Sequence, residues 1–279
     1  MIYQILKGAG KKVSMVSTIN AVVGGKQYDT GFHVTSPDPF MVQKFAKQAK
    51  EVGDEYLVLE VTSHALNQHR FWGIKFEVGI ITNITHEHLD YHKTFDSYFN
   101  TKVSLLKRVK FAIVNQNLRE KIKDKTKGKI ITFGLNSGDF NQKEISLSLK
   151  IPGEYNIENA LAALACAFVS DIDRKVAQRI LERFAGLIGR MEEVKNNRGI
   201  KIIIDFAHTP NALEQALKTL RKQTKGRLIS VFGRAGQRDI KMRPMLGKIS
   251  TEIADITVIT AEDPRGELEI ISRQIRDGA

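Results

Sequence analysis

Glu60 closes the apolar run YLVLE and is followed by Val61, Thr62, Ser63 and His64. A carboxylate at the end of a buried strand, with two hydroxyls behind it, supplies the oxygen donors that hold Mg²⁺ together with waters. The same residues also fit an ordinary polar strand end at which Ser63 caps a helix. A denser group follows the run VGIIT: Asn83-Ile-Thr-His-Glu-His-Leu-Asp-Tyr-His92 packs three histidines and two acids into seven residues. Core packing does not account for such density, and one or two of these side chains are expected to face a metal and a phosphate. Zinc is disfavoured, because the chain has one cysteine and no HExxH helix.

Two further places lie in the second half. Asp205-Phe-Ala-His208-Thr-Pro ends a strand and opens a helix, with Pro210 suited to the first helical position and the acid suited to a ribose hydroxyl. Gly233-Arg-Ala-Gly236-Gln-Arg238-Asp follows the run LISVF and could admit a phosphate or carboxylate near backbone N–H groups, with arginines for bidentate pairing. A generic loop is the competing reading of each. Lys102 reads as a solvated surface charge, since nothing in composition or spacing separates it from Lys107 and Lys110. The phosphate-cradling string GxxxxGK[ST] does not occur.

The elements that must carry these residues follow from the hydrophobic pattern. β-Branched runs at 13–18, 56–61, 78–82, 111–115 and 130–133 alternate with helical patterns at 40–52 and 95–106 and a short one near 118–123. Alternation of this kind predicts βαβ units and a mostly parallel sheet covered on both faces. A buried helix over 156–170 and another over 173–185 precede GLIGR, after which strands at 200–205, 228–232 and 256–260 alternate with helices at 211–221, 244–252 and 268–276. The fold class is therefore α/β in two domains, 1–188 and 189–279, the second incomplete. In open sheets of this type ligands bind beyond the carboxyl ends of the strands, where the first four places fall.

Composition narrows the partners. The 43 Lys plus Arg against 31 Asp plus Glu give a net charge of +12, which favours anionic ligands. Ten of these cations lie between Thr101 and Ile130, in a tract with too little apolar periodicity for a recognition helix. Residues 107–129 contain only one aromatic, Phe111, so base stacking on that tract is not expected. With no long apolar stretch, no signal-like start and the single Cys166, the protein is expected to be cytoplasmic, without membrane insertion, without nucleic acid and monomeric.

Five strings in order, EVTSHALNQHR (60–70), TNITHEHLDYH (82–92), GEYNIENALAALA (153–165), DFAHTPNAL (205–213) and FGRAGQRDIKMRP (232–244), resemble the Mur ligases, the ATP-dependent amide-forming enzymes of peptidoglycan synthesis. Within that family the likeness is greatest to the UDP-N-acetylmuramoyl-tripeptide synthetase branch. The resemblance implies a central ATPase-like parallel-sheet domain followed by a partial Rossmann-like ligase domain, with ATP and Mg²⁺ as cofactors. It implies Glu60 and His88 as Mg²⁺ ligands and catalytic residues, and it reverses the surface reading of Lys102, which matches a lysine that becomes a metal-binding carbamate. Thr35, Ser36, Thr62, Gln68 and Arg70 match positions that contact UDP-N-acetylmuramoyl-dipeptide. Asn159, Arg190 and Asp205 match nucleotide contacts, and Arg238 with Glu262, Asp263, Pro264 and Arg265 matches the reader of the incoming amino acid. Arg265 favours meso-diaminopimelate over L-lysine, because a guanidinium pairs with the extra carboxylate.

The sequence departs from the family pattern at Val34, where many relatives have Asn, at Thr62 in place of Ser, and at Asp263 in place of Asn. The family's P-loop and UDP-binding domain should precede Met1 and the end of its ligase domain should follow Ala279. The chain is accordingly expected to be an internal fragment without ligase turnover of its own. A function of a different class, a non-catalytic nucleotide- or nucleic-acid-binding protein using the basic tract, would need aromatic side chains interleaved with those charges.

Overall fold

A computed structural model describes residues 1–30 and 35–279; Val34 lies outside the described residues. In chain order the elements are α1 (Ile2–Gly8), β1 (Val13–Val16), β2 (Ala21–Val23), β3 (Lys26–Tyr28), α2 (Pro39–Glu51), β4 (Tyr56–Leu59), α3 (Ser63–Asn67), β5 (Val78–Ile81), α4 (Leu89–His92), α5 (Phe95–Val103), β6 (Phe111–Asn115), α6 (Arg119–Ile122), β7 (Lys129–Gly134), β8 (Phe140–Asn141), α7 (Glu154–Val169) and α8 (Arg174–Arg183). They continue with β9 (Glu192–Val194), β10 (Ile202–Ile204), α9 (Pro210–Gln223), β11 (Ile229–Phe232), α10 (Met242–Ile253), β12 (Ile256–Ile259) and α11 (Leu268–Arg276). Contacts divide the chain into two compact units. The first comprises Met1–Ile84, Asp96–Lys150 and Asn156–Phe184, and the second Thr85–Phe95, Ile151–Tyr155 and Ala185–Ala279.

The first unit holds two four-stranded sheets. One, ordered β5-β6-β7-β8, is parallel throughout. The other, ordered β3-β2-β1-β4, pairs β1 and β4 in parallel and carries an antiparallel hairpin on its edge. The hairpin of β2 and β3 is absent from the sequence expectation, although Gly24-Gly25 is a strong turn signal. Both glycines have positive φ, +57° and +77°, as a two-residue hairpin turn matching strand twist requires.

α7 is built from the run NALAALACA and is buried along most of its length, with Leu161 and Leu164 almost fully enclosed. It packs with Ile5 and Leu6 of α1, Val13 of β1, Ile113 of β6, Ile131 and Phe133 of β7, and Leu181 of α8. Truncating either leucine to Ala should cost about 2–5 kcal/mol through lost burial and the cavity left behind. Cys166 belongs to the same core, and burial pushes its thiol up to about 11, with a Ser170 hydrogen bond opposing the shift. A thiol reagent at neutral pH is therefore expected to leave Cys166 unmodified in the folded protein and to label it only in denaturant. Native labelling at the rate of a free thiol would contradict this.

In the second unit β11 and β12 run parallel, and α9 and α10 cover one side of them, Leu213, Leu217 and Leu246 clustering with Leu228 and Phe232. Ser250 on α10 hydrogen-bonds Thr257 of β12 at 2.7 Å. The alternate residues Ile229, Val231, Ile256 and Val258 remain exposed. α10 starts at Met242, before the expected Pro244, because a proline is tolerated in a first turn whose N–H groups have no intrahelical acceptor. α11 is tied to α10 by Arg243, whose guanidinium is 1% exposed and reaches Glu267 Oε2 and Gln274 Oε1, each at 2.7 Å. Among the described residues no helix is long and apolar enough to cross a membrane.

Candidate active site

β1 and β4 lie side by side in parallel, so their carboxyl ends present Thr18 and Glu60 together. Glu60 Oε2 accepts the Thr18 N–H at 2.8 Å and the Thr18 hydroxyl at 2.9 Å. The Thr18 hydroxyl also lies 3.0 Å from Thr35 Oγ1. A hydroxyl has one proton, and the carboxylate takes it, so Thr35 donates to Thr18. Ser36 donates to the Glu60 carbonyl at 3.0 Å and accepts from the Thr62 N–H at 3.1 Å. Arg70 Nη1 donates to the Ser36 carbonyl at 2.6 Å, while its Nε and Nη2 grip Gln68 Oε1 at 2.9 and 2.7 Å. Thus Glu60, Thr35, Ser36, Thr62, Gln68 and Arg70 form one continuous hydrogen-bonded network.

The helix after this strand is capped by Thr62, whose hydroxyl accepts the Ala65 N–H at 3.2 Å. Ser63, expected in that role, is the first helical residue and is buried. Lys102 and Asn159 belong to the same unit but to other elements. Lys102 sits in the last turn of α5 with Nζ 5.2 Å from the centroid of the Tyr98 ring, and Asn159 is exposed on α7.

The remaining candidates lie in the second unit. Glu87 Oε1 stands 3.2 Å from His88 Nε2 and 3.3 Å from His208 Nε2, so one carboxylate faces two imidazoles. His208 Nδ1 is 3.0 Å from the Phe206 carbonyl, which requires the proton on Nδ1. His86 Nε2 faces the buried Asp239 Oδ2 at 3.2 Å. His92 is buried and meets the Tyr91 ring edge-on. Asp205 accepts the Met191 N–H at 2.8 Å and the Ala207 N–H at 2.9 Å, using one lone pair on each oxygen and leaving one on each for a ligand hydroxyl. The Arg190 guanidinium stacks 4.6 Å from the centroid of Phe206.

The loops after β11 and β12 approach closely. A Cβ on Gly233 would lie 2.3 Å from the Thr260 carbonyl oxygen, and one on Gly236 equally close to that of Pro264, so glycine is required at both positions. Arg238 is exposed on the first loop. On the second, Asp263 and Arg265 both adopt positive φ, and Asp263 Oδ2 takes Arg265 Nε at 3.0 Å and Nη2 at 2.8 Å. Arg234 is buried and donates to the His208 carbonyl at 2.5 Å, while its Nε finds no partner among the described residues. Desolvation lowers its pKa, offset by the charges of Glu262, Asp239 and Glu87. The Glu262 side chain touches solvent, yet partial desolvation still raises its carboxyl, against the pull of Arg234 and His208. Arg234 was among the arginines of the Gly233-to-Asp239 string, whereas the pairing of Asp239 and the contact of Glu87 with His208 were not read from the sequence. Asp239 is 153 residues from its partner His86, a separation that no local pattern encodes.

The donor set at Glu60 suits Mg²⁺. Among the described residues no group of three or more His, Cys, Asp or Glu could cage a metal, and Mg²⁺ needs none, because it keeps several waters and binds through one or two carboxylates. An exposed carboxylate among hydroxyls meets that requirement. Lys102 as an ammonium has no lone pair and could join such a site only as a carbamate.

Residues 1–167 match the Mur ligase middle domain, and residues 189–279 match the Mur ligase glutamate ligase domain. UDP-N-acetylmuramoyl-L-alanyl-D-glutamate–2,6-diaminopimelate ligase of Clostridium botulinum is 38% identical over 303 aligned residues, covering 100% of this chain and 62% of the relative. The enzyme of the same name from Clostridium tetani is 37% identical, covering 96% and 59%. The solved structure of a ligase of that name superposes with a TM-score of 0.67 at 25% identity, covering 100% of this chain and 62% of the other. The chain thus spans about 60% of the length of the curated relatives it matches. With both matched domains in order and together spanning most of its length, the chain belongs to the Mur ligase family.

Proposed function

We propose that the protein serves as an ATP-dependent ligase that joins the third amino acid to UDP-N-acetylmuramoyl-L-alanyl-D-glutamate in peptidoglycan synthesis, as a cytoplasmic monomer. Residues 1–188 act as the central domain and 189–279 as the amino-acid-adding domain. The observation that carries the reading is the Glu60 network, which gathers six residues matched to the family's metal and dipeptide positions at the carboxyl ends of two parallel strands.

The substrate carboxylate attacks the γ-phosphorus of ATP, releasing ADP and forming an acyl phosphate; the amine of the incoming amino acid then attacks the acyl carbon and displaces phosphate. Two anions must approach in the first step. By the resemblance, Glu60, His88 and a carbamylated Lys102 are the residues that would ligate Mg²⁺, and the bound metal would supply positive charge against that repulsion. Arg70, positioned by Gln68 and the Ser36 carbonyl, holds the anionic dipeptide, and the hydroxyls of Thr35, Ser36 and Thr62 orient it. Asn159, Arg190 and Asp205 bind the nucleotide, the last through its spare lone pairs toward the ribose. Arg238, Glu262, Asp263, Pro264 and Arg265 select the amino acid, with meso-diaminopimelate favoured.

The test is phosphate release and product mass with the natural full-length gene product, UDP-muramoyl-dipeptide, ATP, Mg²⁺ and either amino acid. Absence of a tripeptide product with both would overturn the proposal. A second measurement addresses specificity. Asp263 occupies Arg265 as an ion pair, so Asp263→Asn should release the guanidinium and raise kcat/KM for meso-diaminopimelate relative to L-lysine by about tenfold, the worth of one charge-assisted contact. An unchanged ratio would remove Arg265 from the selection.

A further inference from the structure

Trp72 and Phe40 are 83% and 87% exposed, the two most open large apolar residues among the described residues. They belong to neighbouring segments. Gln43, one turn beyond Phe40 on α2, donates through Nε2 to the Trp72 carbonyl at 2.8 Å. The Trp72 backbone is also fixed by its own N–H to the His69 carbonyl at 3.0 Å, and the Phe71 carbonyl holds the Ile74 N–H at 3.0 Å. The indole is thus presented on an anchored turn while remaining in water, a costly placement for the largest apolar side chain unless something covers it.

Behind Trp72 opens a groove of about 820 Å³. Its floor is aliphatic and aromatic, with Leu66, Phe71, Ile74, Leu105 and Val109 among its residues. Its polar lining is one-sided in charge: His69, Lys75, Lys107 and Arg108 contribute, and no Asp or Glu does. All four of these are exposed. Lys107 and Arg108 also begin the basic tract that neither the network at Glu60 nor the loops after β11 and β12 use.

We propose that this face docks peripherally on an anionic phospholipid bilayer, with Trp72 and Phe40 entering the headgroup level and Lys75, Lys107 and Arg108 meeting the lipid phosphates. Interfacial tryptophan with adjacent cations is the combination that such a surface rewards, since the ring is amphipathic and each Lys or Arg gains from the negative surface potential. Phe71 is buried and Phe76 half-buried, so among the described residues the open apolar rings on this face are Trp72 and Phe40; single-stranded nucleic acid needs a longer succession of aromatic faces on which to stack, which favours lipid. The inference concerns a different surface from the proposed ligase site and does not depend on it.

The experiment is co-sedimentation of the natural full-length protein with vesicles of phosphatidylcholine alone and of phosphatidylcholine mixed with phosphatidylglycerol. Association is expected with the mixed vesicles only, with release by salt. Lys75→Glu combined with Lys107→Glu should weaken it at least about 25-fold, since each cation is worth roughly a factor of five. Trp72→Ala with Phe40→Ala should weaken it further while leaving the melting temperature unchanged, because both side chains are already in water. Equal binding to neutral vesicles, no binding to either, or binding unaffected by these substitutions would each overturn the proposal. So would a dimer seen by light scattering that Trp72→Ala dissolves, or an oligonucleotide that binds this face when vesicles do not.

Discussion

Replacing Glu60 with Gln is expected to lower the kcat of the ligase by about 10²–10³-fold, the range seen when one electrostatic partner of a developing charge is removed. The amide oxygen still accepts the Thr18 N–H and hydroxyl, and the contacts of Ser36 are to the Glu60 backbone, so the network and the fold persist. Only the negative charge is lost. The Mg²⁺ concentration required for half-maximal rate should rise in the same variant, and its melting temperature should not move. A Glu60→Gln enzyme that turned over as fast as the parent would show that this carboxylate has no part in the chemistry.

A large effect on stability is also expected in the second unit. Glu267→Ala should destabilise it by about 3 kcal/mol, toward the lower end of the range for stranding a buried charge, because Gln274 still accepts one N–H of Arg243. Arg243→Met, which removes the charge and fills the space, should cost less, since burying an ion pair returns little beyond its own desolvation. Urea denaturation followed by circular dichroism, with hydrogen exchange of the α10 and α11 amides, measures both. If the Met variant proved the weaker of the two, the pair would be a net stabiliser and the argument from desolvation would fail.

The parts of this molecule that were legible in its sequence are those specified by local physics. Pro210 falls at the start of α9 as expected, with Thr209 as the cap, its hydroxyl accepting the Ala212 N–H. The runs that became β1, β4, β5, β6 and β7 are β-branched and bounded by polar residues, so their type was plain even where their ends were not. β9 was not legible, because Glu192-Glu193-Val194 has no alternation to read and becomes a strand only by pairing with β10. The role of Asp263 was half legible. Its carboxylate was visible as a departure from the family's Asn, but the positive φ of both residues, where the two side chains pair, is set by the loop. The contact of Glu87 with His208 was not readable at all, since it joins residues distant in the chain through tertiary placement.

That the segment Thr85–Phe95 belongs to the second unit has a consequence for how the chain is made. His86 leaves the ribosome 153 residues before Asp239, the acid it faces. At a synthesis rate of about 5–20 residues per second, the histidine-rich segment waits roughly 8–30 s for that partner. Throughout that interval the His86 imidazole lacks the acid that it faces in the folded protein. A gene fragment cut at the boundary between the two matched domains would separate the segment from its partners permanently, so the second unit cannot be recovered intact by expressing residues 189–279 alone.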